Sequence, residues 1–218
     1  MTCLICNVRK EKRFCPAVHG RICPQCCGEQ RELTLDCPSD CVYLQQARQH
    51  EEPRRLEELP AEETFPAIEI SEQFLRDQEP LLTGIWHTLS GCYSRDRNLT
   101  DREFIAALTN MAKSLQTLVS SGLVYEEALP GLAQQAVIDA LRQLLQEFRG
   151  VEQKHLRYSA LKDADVLKAL VFTLRLAHAQ TSGRPRSRRF LDFLRERFPD
   201  TQPSIATAEA APSRIIVP

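Results

Sequence analysis

Eight of the nine cysteines in this 218-residue chain lie within its first 41 residues. In a reducing compartment, thiols at this density more often indicate metal binding or redox chemistry than disulfide bonds. A segment of about 40 residues rarely folds on hydrophobic burial alone, and this one contains few large apolar residues. We therefore expect a metal to hold it together. The clustered cysteines are Cys3, Cys6, Cys15, Cys23, Cys26, Cys27, Cys37 and Cys41.

The spacing of these cysteines predicts two zinc sites. Structural zinc takes four thiolate or imidazole ligands in a tetrahedron, and two of the pairs are CxxC motifs, which let one tight turn reach one ion. Four-thiolate sites suit iron as well as zinc. We assign the two CxxC pairs, Cys3, Cys6, Cys23 and Cys26, to the first ion. The second ion receives Cys15, Cys27, Cys37 and Cys41, with His19 as an alternative ligand.

The doublet of Cys26 and Cys27 fits this division, because adjacent residues of an extended segment point to opposite faces. One cysteine then serves each ion. In the stretch DCPSDC, Pro38 suits the first position of a helix, so Cys37 and Cys41 are expected at a helix N-terminus. The partial positive charge of that end favours thiolates.

With His19 in place of Cys27, the order of the ligands resembles that of the RING-type cross-brace finger, and treble-clef and HIT-type fingers share much of the pattern. The order is Cys3, Cys6, Cys15, His19, Cys23, Cys26, Cys37 and Cys41. The resemblance covers residues 3–41, and Cys27 is additional to it. It implies a ubiquitin-ligase adaptor that docks a conjugating enzyme near Ile5 and Pro24 and supplies no catalytic nucleophile.

Two other kinds of chemistry are less well supported. CxxC motifs can form dithiol switches, but thioredoxin-like chemistry expects a βαβ pattern that is missing here. For nucleic-acid binding, residues 1–41 carry six Lys or Arg and five Asp or Glu, a net of +1, and two zinc ions with eight thiolates change this to −3. A negative module lacks the phosphate-neutralising charge that dominates nucleic-acid affinity, although the run RKEKR at 9–13 could form a local basic patch.

The sequence contains no recognised catalytic motif. It has no glycine-rich phosphate loop, HExxH or GxSxG, and the histidines His87, His155 and His178 stand alone. Trp86 and Cys92 are expected to pack in a core. We expect a protein that is not an enzyme.

The beginning of the chain, MTCLICNVRKEKR, has cysteines and charges where a signal peptide needs an apolar stretch. No apolar run approaches the roughly 18 residues that a membrane span needs. We expect a cytoplasmic protein that does not associate with membranes.

The remaining elements divide the chain into four parts. Residues 1–52 form the cysteine-rich finger, which ends in a helix. Residues 53–67 mix charge with three prolines and indicate an exposed linker. Residues 68–199 show helical periodicity throughout and predict a bundle of five or six helices. Residues 200–218 have the composition of a disordered tail.

Helix punctuation is clearest in the middle of the bundle. Thr100 and Glu103 form a capping box, and Gly122 is a stop signal for the same helix. The next helix is predicted between Pro130 and Gly150. The stretch DADVLKALVFTLRLAHAQ is apolar on more than one face, which predicts a central helix or a helix covered by a partner.

Basic residues accumulate near the end of the bundle. Residues 150–200 carry eleven basic and six acidic side chains, and the arginines crowd the stretch SGRPRSRRF. Cations at a helix N-terminus are electrostatically misplaced, so we consider an anionic partner for them. A solvated loop is the simpler alternative. The predicted partner-binding residues are Arg184, Arg186, Arg188 and Arg189.

Together these observations predict a mainly α protein, with a small two-zinc cysteine-rich finger followed by an irregular all-α helical bundle. The expected function is that of a non-enzymatic zinc-binding adaptor that engages another protein. A RING-like ubiquitin-ligase adaptor and a nucleic-acid-binding regulator that uses the arginine cluster are the alternatives.

Overall fold

The computed structural model describes residues 1–51, 56, 59–124, 131–157 and 160–199. The predicted tail, residues 200–218, and the side chain of His155 lie outside this part of the chain. The predicted fold class is confirmed: the described residues form a mainly helical molecule, with a two-stranded sheet in the cysteine-rich finger.

The finger is built on a short hairpin. Strands β1 (Arg13–Cys15) and β2 (Gly20–Ile22) pair antiparallel, with Cys15 opposite Gly20 and a single 3-10 turn, Pro16–Val18, between them. The backbone N–H of Leu4 donates to the carbonyl of Arg21 at 3.1 Å. A Cβ atom at position 20 would displace the exposed side chain of Leu4, which packs over this glycine.

Helix α1 (Pro24–Gln30) follows the hairpin directly. Cys23 is its N-cap, and the Cys23 sulfur accepts the backbone N–H of Cys26 at 3.4 Å. The expectation that Cys26 and Cys27 lie in an extended segment is therefore wrong. Pro24 is pre-organised for the first helical turn, and adjacent helical side chains diverge by about 100° instead of pointing to opposite faces.

Helix α2 (Val42–Arg48) completes the finger. It begins four residues later than predicted, because the chain from Pro38 to Cys41 forms a turn that the N–H of Cys41 closes on the carbonyl of Pro38 at 3.0 Å. Cys41 is the N-cap of the helix, and Cys37 lies before the turn.

The bundle contains two short helices, α3 (Ala61–Thr64) and α4 (Glu72–Asp77), and five longer ones. The longer helices are α5 (Glu79–Arg95), α6 (Asp101–Ser121), α7 (Leu132–Leu156), α8 (Asp163–Gln180) and α9 (Arg189–Arg197). Pro80 starts a second helix instead of kinking one, since α4 ends at Asp77 and α5 begins at Glu79. Helices α5 to α9 share one hydrophobic core.

The predicted ends of helix α6 are confirmed. Thr100 and Glu103 form the capping box, and Gly122 ends the helix in the left-handed conformation at φ 73°. Helix α7, in contrast, passes through Gly150 and ends at Leu156. A glycine inside a helix costs only about 1 kcal/mol, which a packed helix of this length absorbs.

Helix α8 is the central helix of the bundle, as predicted. It contacts α3, α5, α6 and α9. The apolar residues of its main face are buried, and the Trp86 indole of α5 donates to the hydroxyl of Thr173 on α8 at 3.1 Å. The buried residues are Val166, Leu167, Leu170, Val171 and Leu174. Cys92 is also buried, as expected for a core thiol.

The predicted linker, residues 53–67, packs on the bundle at its C-terminal end. Phe65 belongs to the bundle core, and its backbone is in the left-handed region at φ 50°. The guanidinium of Arg175 on α8 donates to the carbonyl groups of Thr64, Phe65 and Ile68 at 2.6 to 2.9 Å. Three carbonyl oxygens thus anchor this segment to helix α8, where Thr64 and Phe65 are buried while Pro66 and Ala67 are exposed.

Within the described part of the chain, no helix combines the length and the apolar character that crossing a bilayer requires.

Candidate metal centre

The four cysteines predicted for the first ion come together in the structure. Their sulfur atoms all lie within 4.8 Å of one another, and three of the four residues are buried. Cys3 and Cys6 come from a tight turn in which the N–H of Asn7 donates to the carbonyl of Cys3 at 2.9 Å. Cys23 and Cys26 come from the first turn of helix α1. This set is Cys3, Cys6, Cys23 and Cys26, and we call it cluster 1.

The sulfur separations of cluster 1 are compatible with a tetrahedral metal site. Zinc–sulfur bonds of about 2.3 Å place the sulfurs of a tetrahedral site about 3.8 Å apart, within the limit found here. Four sulfur donors that converge in a buried pocket are the donor set of structural zinc, and also of iron. Cluster 1 can therefore hold one metal ion.

The thiols of cluster 1 have unequal acidities. Burial raises the pKa of the Cys26 thiol to about 12, with the sulfurs of Cys23, Cys6 and Cys3 adding to the effect. Burial also opposes ionisation of Cys3, but the backbone N–H groups of Cys6, Cys23 and Ile5 outweigh it and lower its pKa to about 6. The backbone N–H of Cys26, assisted by Arg9, lowers the pKa of Cys23. Thiolates are thus already favoured at part of the cluster.

The four cysteines predicted for the second ion line one small cavity of about 10 Å³, but among the described residues cluster 1 alone brings three or more metal-ligand atoms within 4.8 Å of one another. A cavity of this size holds about one water-sized sphere. Burial raises the pKa of Cys37, and the charges of Cys15 and Cys41 add to this rise, which reflects how near their sulfurs lie. The apolar residues Leu35 and Leu44 line the same cavity. The set is Cys15, Cys27, Cys37 and Cys41, and we call it cluster 2.

Cys27 is one of the residues that line the cavity of cluster 2, whereas His19 is exposed. His19 is the C-cap of the 3-10 turn in the hairpin, with its backbone in the left-handed region at φ 49°. The histidine that the RING order requires thus lies in the turn, and Cys26 belongs to cluster 1 while Cys27 lines the cavity of cluster 2. Whether Cys27 or His19 completes the second metal site stays a prediction.

Two arginines that sequence reasoning did not assign to the metal sites lie beside the sulfurs. Arg9 Nη1 lies 3.8 Å from the sulfur of Cys23 and 3.9 Å from that of Cys26. Arg13 Nη1 lies 3.5 Å from the sulfur of Cys27. In the sequence, these arginines are visible as part of the basic run RKEKR, which we interpreted above as a possible nucleic-acid patch.

The arginine cluster of residues 184–189 lies against the finger. Arg184 Nη1 donates to the carbonyl oxygens of Arg31 at 2.6 Å and Gly28 at 3.3 Å, at the C-terminal end of helix α1. The backbone N–H of Arg186 donates to the carbonyl of Glu32 at 2.9 Å, and the Arg186 side chain is exposed.

The two remaining arginines of the cluster form ion pairs with the finger. Arg188 pairs with Asp36 and also donates to the carbonyl of Leu99 at 3.1 Å. Arg189 lies 3.4 Å from a carboxylate oxygen of Glu51. Three of the four guanidinium groups thus have partners within the chain, and binding of an external anion by this cluster stays a prediction.

A buried ionic network lies at the centre of this finger–bundle interface. Arg48 of helix α2 contacts Glu32 at 3.0 Å and Asp192 of helix α9 at 2.7 Å. Ser182 donates to Glu32 at 2.9 Å, and Ser39 donates to Asp192 at 2.7 Å. Burial works against the charge on Arg48, but Asp192 and Glu32 outweigh it and raise its pKa. The metal module and the bundle are joined by charges from both.

The described histidines of the bundle stand apart from the metal clusters. His87 lies edge-on against the ring of Phe198, with 4.9 Å between ring centroids. His178 is buried, with its Nε2 3.7 Å from a carboxylate oxygen of Glu63. Both rings contact side chains outside the two cysteine clusters.

Comparison with protein-family models, with curated proteins and with solved structures finds no match to this chain. The resemblance to RING-type fingers therefore rests on the order of the cysteines alone.

Proposed function

We propose that this chain is a non-enzymatic cytoplasmic protein that binds two zinc ions in its finger and presents that finger, held on a helical bundle, to another protein. The observation that carries the proposal is cluster 1, whose four sulfurs lie within 4.8 Å of one another. The cavity of about 10 Å³ at cluster 2 supports the second ion.

A structural role for the metal is supported by the composition of the finger. Its buried apolar positions are largely cysteines, joined by Ile22, Leu35 and Leu44. Because this core is so small, metal coordination would supply most of the free energy that stabilises the folded finger, as in other small metal-dependent modules. The cysteines would hold the ions, and the hairpin and helix α1 would fix where they sit.

The surface of the finger supports a role in protein binding. Several of its large apolar side chains point outward, and apolar surface on a small module is typical of interaction sites. A module that folds around metal has no need to bury these residues for its own stability. They are Leu4, Val8, Phe14, Leu33 and Val42, with exposed fractions between 49% and 81%.

A non-catalytic role is supported by the partners of the buried ionisable groups. Asp101 accepts the hydroxyl of Ser187 at 2.6 Å and the backbone N–H groups of Phe190 and Leu191, so it caps helix α9. Arg48 and Asp192 join the finger to the bundle. These groups hold the structure together and are not presented to a substrate.

Native mass spectrometry of the reduced protein tests the metal sites. We expect two zinc ions in the wild type, and one in each of Cys6→Ser and Cys27→Ser. Cys92→Ala removes a buried thiol of the bundle and serves as the control that keeps both ions. Two ions in Cys27→Ser would remove this cysteine from the second site, and a metal-free wild type would contradict the proposal.

Loss of a partner through a surface change tests the adaptor role. Val8→Asp places a charge on the exposed surface of the finger, and Leu132→Asp does the same at an exposed apolar position of helix α7. We expect a protein that copurifies with the wild type and with Leu132→Asp, but not with Val8→Asp, from cells that naturally contain the chain. Metal content should be equal in all three. Copurification that is the same for all three would contradict an adaptor surface on the finger.

A further inference from the structure

The basic run RKEKR at residues 9–13 divides between two environments. Arg9 reaches the sulfurs of cluster 1, and Arg13 reaches the Cys27 sulfur of cluster 2. Lys10 and Lys12 lie between them in the run, and they are exposed, as is Arg9. The run therefore supplies one guanidinium to each set of cysteines.

The finger also anchors the two residues that carry these guanidinium groups. The residues around Arg9 are anchored to the Cys3 turn, because the Arg9 carbonyl accepts the N–H of Cys3 at 2.9 Å. Arg13 lies in strand β1, and its guanidinium carbon is 4.6 Å from the centre of the Tyr43 ring. Arg13 thus lies between an aromatic face and a sulfur, and cation–π contact stabilises its charge there.

The charge of the two sites explains why such residues are needed. A divalent ion with four thiolates carries a net charge of −2, and cluster 1 is buried except at Cys6. Charge-assisted N–H donors next to a thiolate are stronger than neutral ones, and groups that contact metal ligands tune the affinity of the site.

We propose that Arg9 and Arg13 are the charge-balancing partners of the two metal sites, and that each slows the loss of metal from its own set of cysteines. This inference rests on the proposed function, because it requires the clusters to hold metal. Each guanidinium draws electron density from the sulfur it contacts and offsets part of the negative charge of the site. The bound thiolates are then protonated less readily, and they react more slowly with external reagents.

Transfer of zinc to a chelator in excess, followed by absorbance, measures this effect on the full chain. We expect Arg9→Ala and Arg13→Ala each to speed the release of one of the two ions by about tenfold or more. Lys10→Ala and Lys12→Ala are the matched controls and should release zinc at the wild-type rate. Alkylation of freed thiols with peptide mapping identifies the site, with label first at Cys23 and Cys26 in Arg9→Ala and at Cys27 in Arg13→Ala.

Cobalt substitution separates an electronic role from a purely structural one. The sulfur-to-cobalt charge-transfer absorption should move to lower energy in Arg9→Ala, because the thiolates donate more charge once the guanidinium is gone. Arg9→Lys keeps the positive charge and should recover part of the wild-type release rate.

Release rates and cobalt spectra that match the lysine controls would overturn the inference while leaving the metal sites intact. If the wild-type protein bound no metal, the proposed function itself would fail. The metal content of the wild-type protein decides this without any variant. Circular dichroism of each variant distinguishes faster release from loss of folding.

Discussion

Arg184 connects the bundle to the end of a finger helix through one side chain. Its guanidinium donates to two carbonyl groups, those of Gly28 and Arg31, where helix α1 ends. Carbonyl groups at a helix C-terminus have no partner inside the helix, and a cation there also complements the helix dipole. Arg186, two residues away, leaves its side chain exposed.

Replacing these two arginines separates their roles. We expect Arg184→Ala to lower the free energy of unfolding by about 1.5–3 kcal/mol, since hydrogen bonds to a charged group are lost. Arg186→Ala should change it by no more than about 0.5 kcal/mol, as is typical of exposed positions. Urea unfolding followed by circular dichroism measures both. Equal effects of the two substitutions would show that the guanidinium of Arg184 contributes nothing to the interface.

At the scale of single residues, the sequence was informative where the interactions are local. The CxxC spacing lets one turn of the chain bring two sulfurs to a single ion, as in Cys3 with Cys6 and in Cys23 with Cys26. The partners of Arg184 were not predictable, because they lie 153 and 156 residues away and only the packing of the bundle brings them close. Arg9 was missed because an arginine beside a cysteine motif has no characteristic spacing.

At the scale of elements, helices α2 and α9 are joined by Arg48. This side chain is largely buried between Glu32 and Asp192, which are themselves nearly inaccessible to solvent. Tyr93 of helix α5 adds a hydrogen bond to Asp192 at 3.2 Å. The guanidinium of Arg48 therefore balances the charge of two carboxylates, and Arg195 lies 3.9 Å from Asp192 as a second cation.

Removing that guanidinium should be costly. We expect Arg48→Ala to destabilise the protein by about 3–5 kcal/mol, because it leaves the buried Glu32 carboxylate without a counter-charge and Asp192 with the more distant Arg195. Arg76→Ala, in an exposed ion pair with Glu72 on helix α4, is the matched control and should cost less than about 1 kcal/mol. Denaturant titration measures the stability of both variants. An Arg48→Ala variant as stable as Arg76→Ala would contradict a stabilising role for the buried ionic network.

Helix limits were predictable where the end is chemically enforced. The capping box at Thr100 and the left-handed Gly122 mark both ends of helix α6 because each satisfies backbone groups that the helix leaves free. Gly150 does not end helix α7, because the tertiary packing of that helix outweighs the low helix propensity of glycine. The start of helix α2 moved past Pro38 because the chain first closes a turn at Cys41.

At the scale of the whole molecule, the finger and the bundle have separate means of folding and a shared interface. The finger has a core made largely of cysteines, while the bundle has a continuous apolar core across helices α5 to α9. The interface between them is polar and is made by Glu32, Arg48, Arg184, Arg188 and Asp192. Loss of the metal should therefore unfold the finger while the bundle stays folded.

Chelation of the metal tests this difference. We expect amide hydrogens of the finger, such as that of Lys12 bonded to Ile22, to lose their protection when zinc is removed. Amides in helices α6 and α8 should remain protected, because their core contains no metal ligand. Hydrogen exchange with mass spectrometry measures both regions, and a finger that stays protected without metal would contradict a metal-dependent fold.

The interface also imposes an order of events during synthesis. Ser182 and Glu32, which meet there, are 150 residues apart, so the finger leaves the ribosome long before its docking surface exists. At about 5–20 residues per second, this interval is roughly 8 to 30 s. Metal capture is local to residues 1–41 and can be complete within it, whereas docking must wait for helix α9. On the proposed function, zinc supply during translation would decide whether the newly made bundle meets a folded finger or an unstructured one.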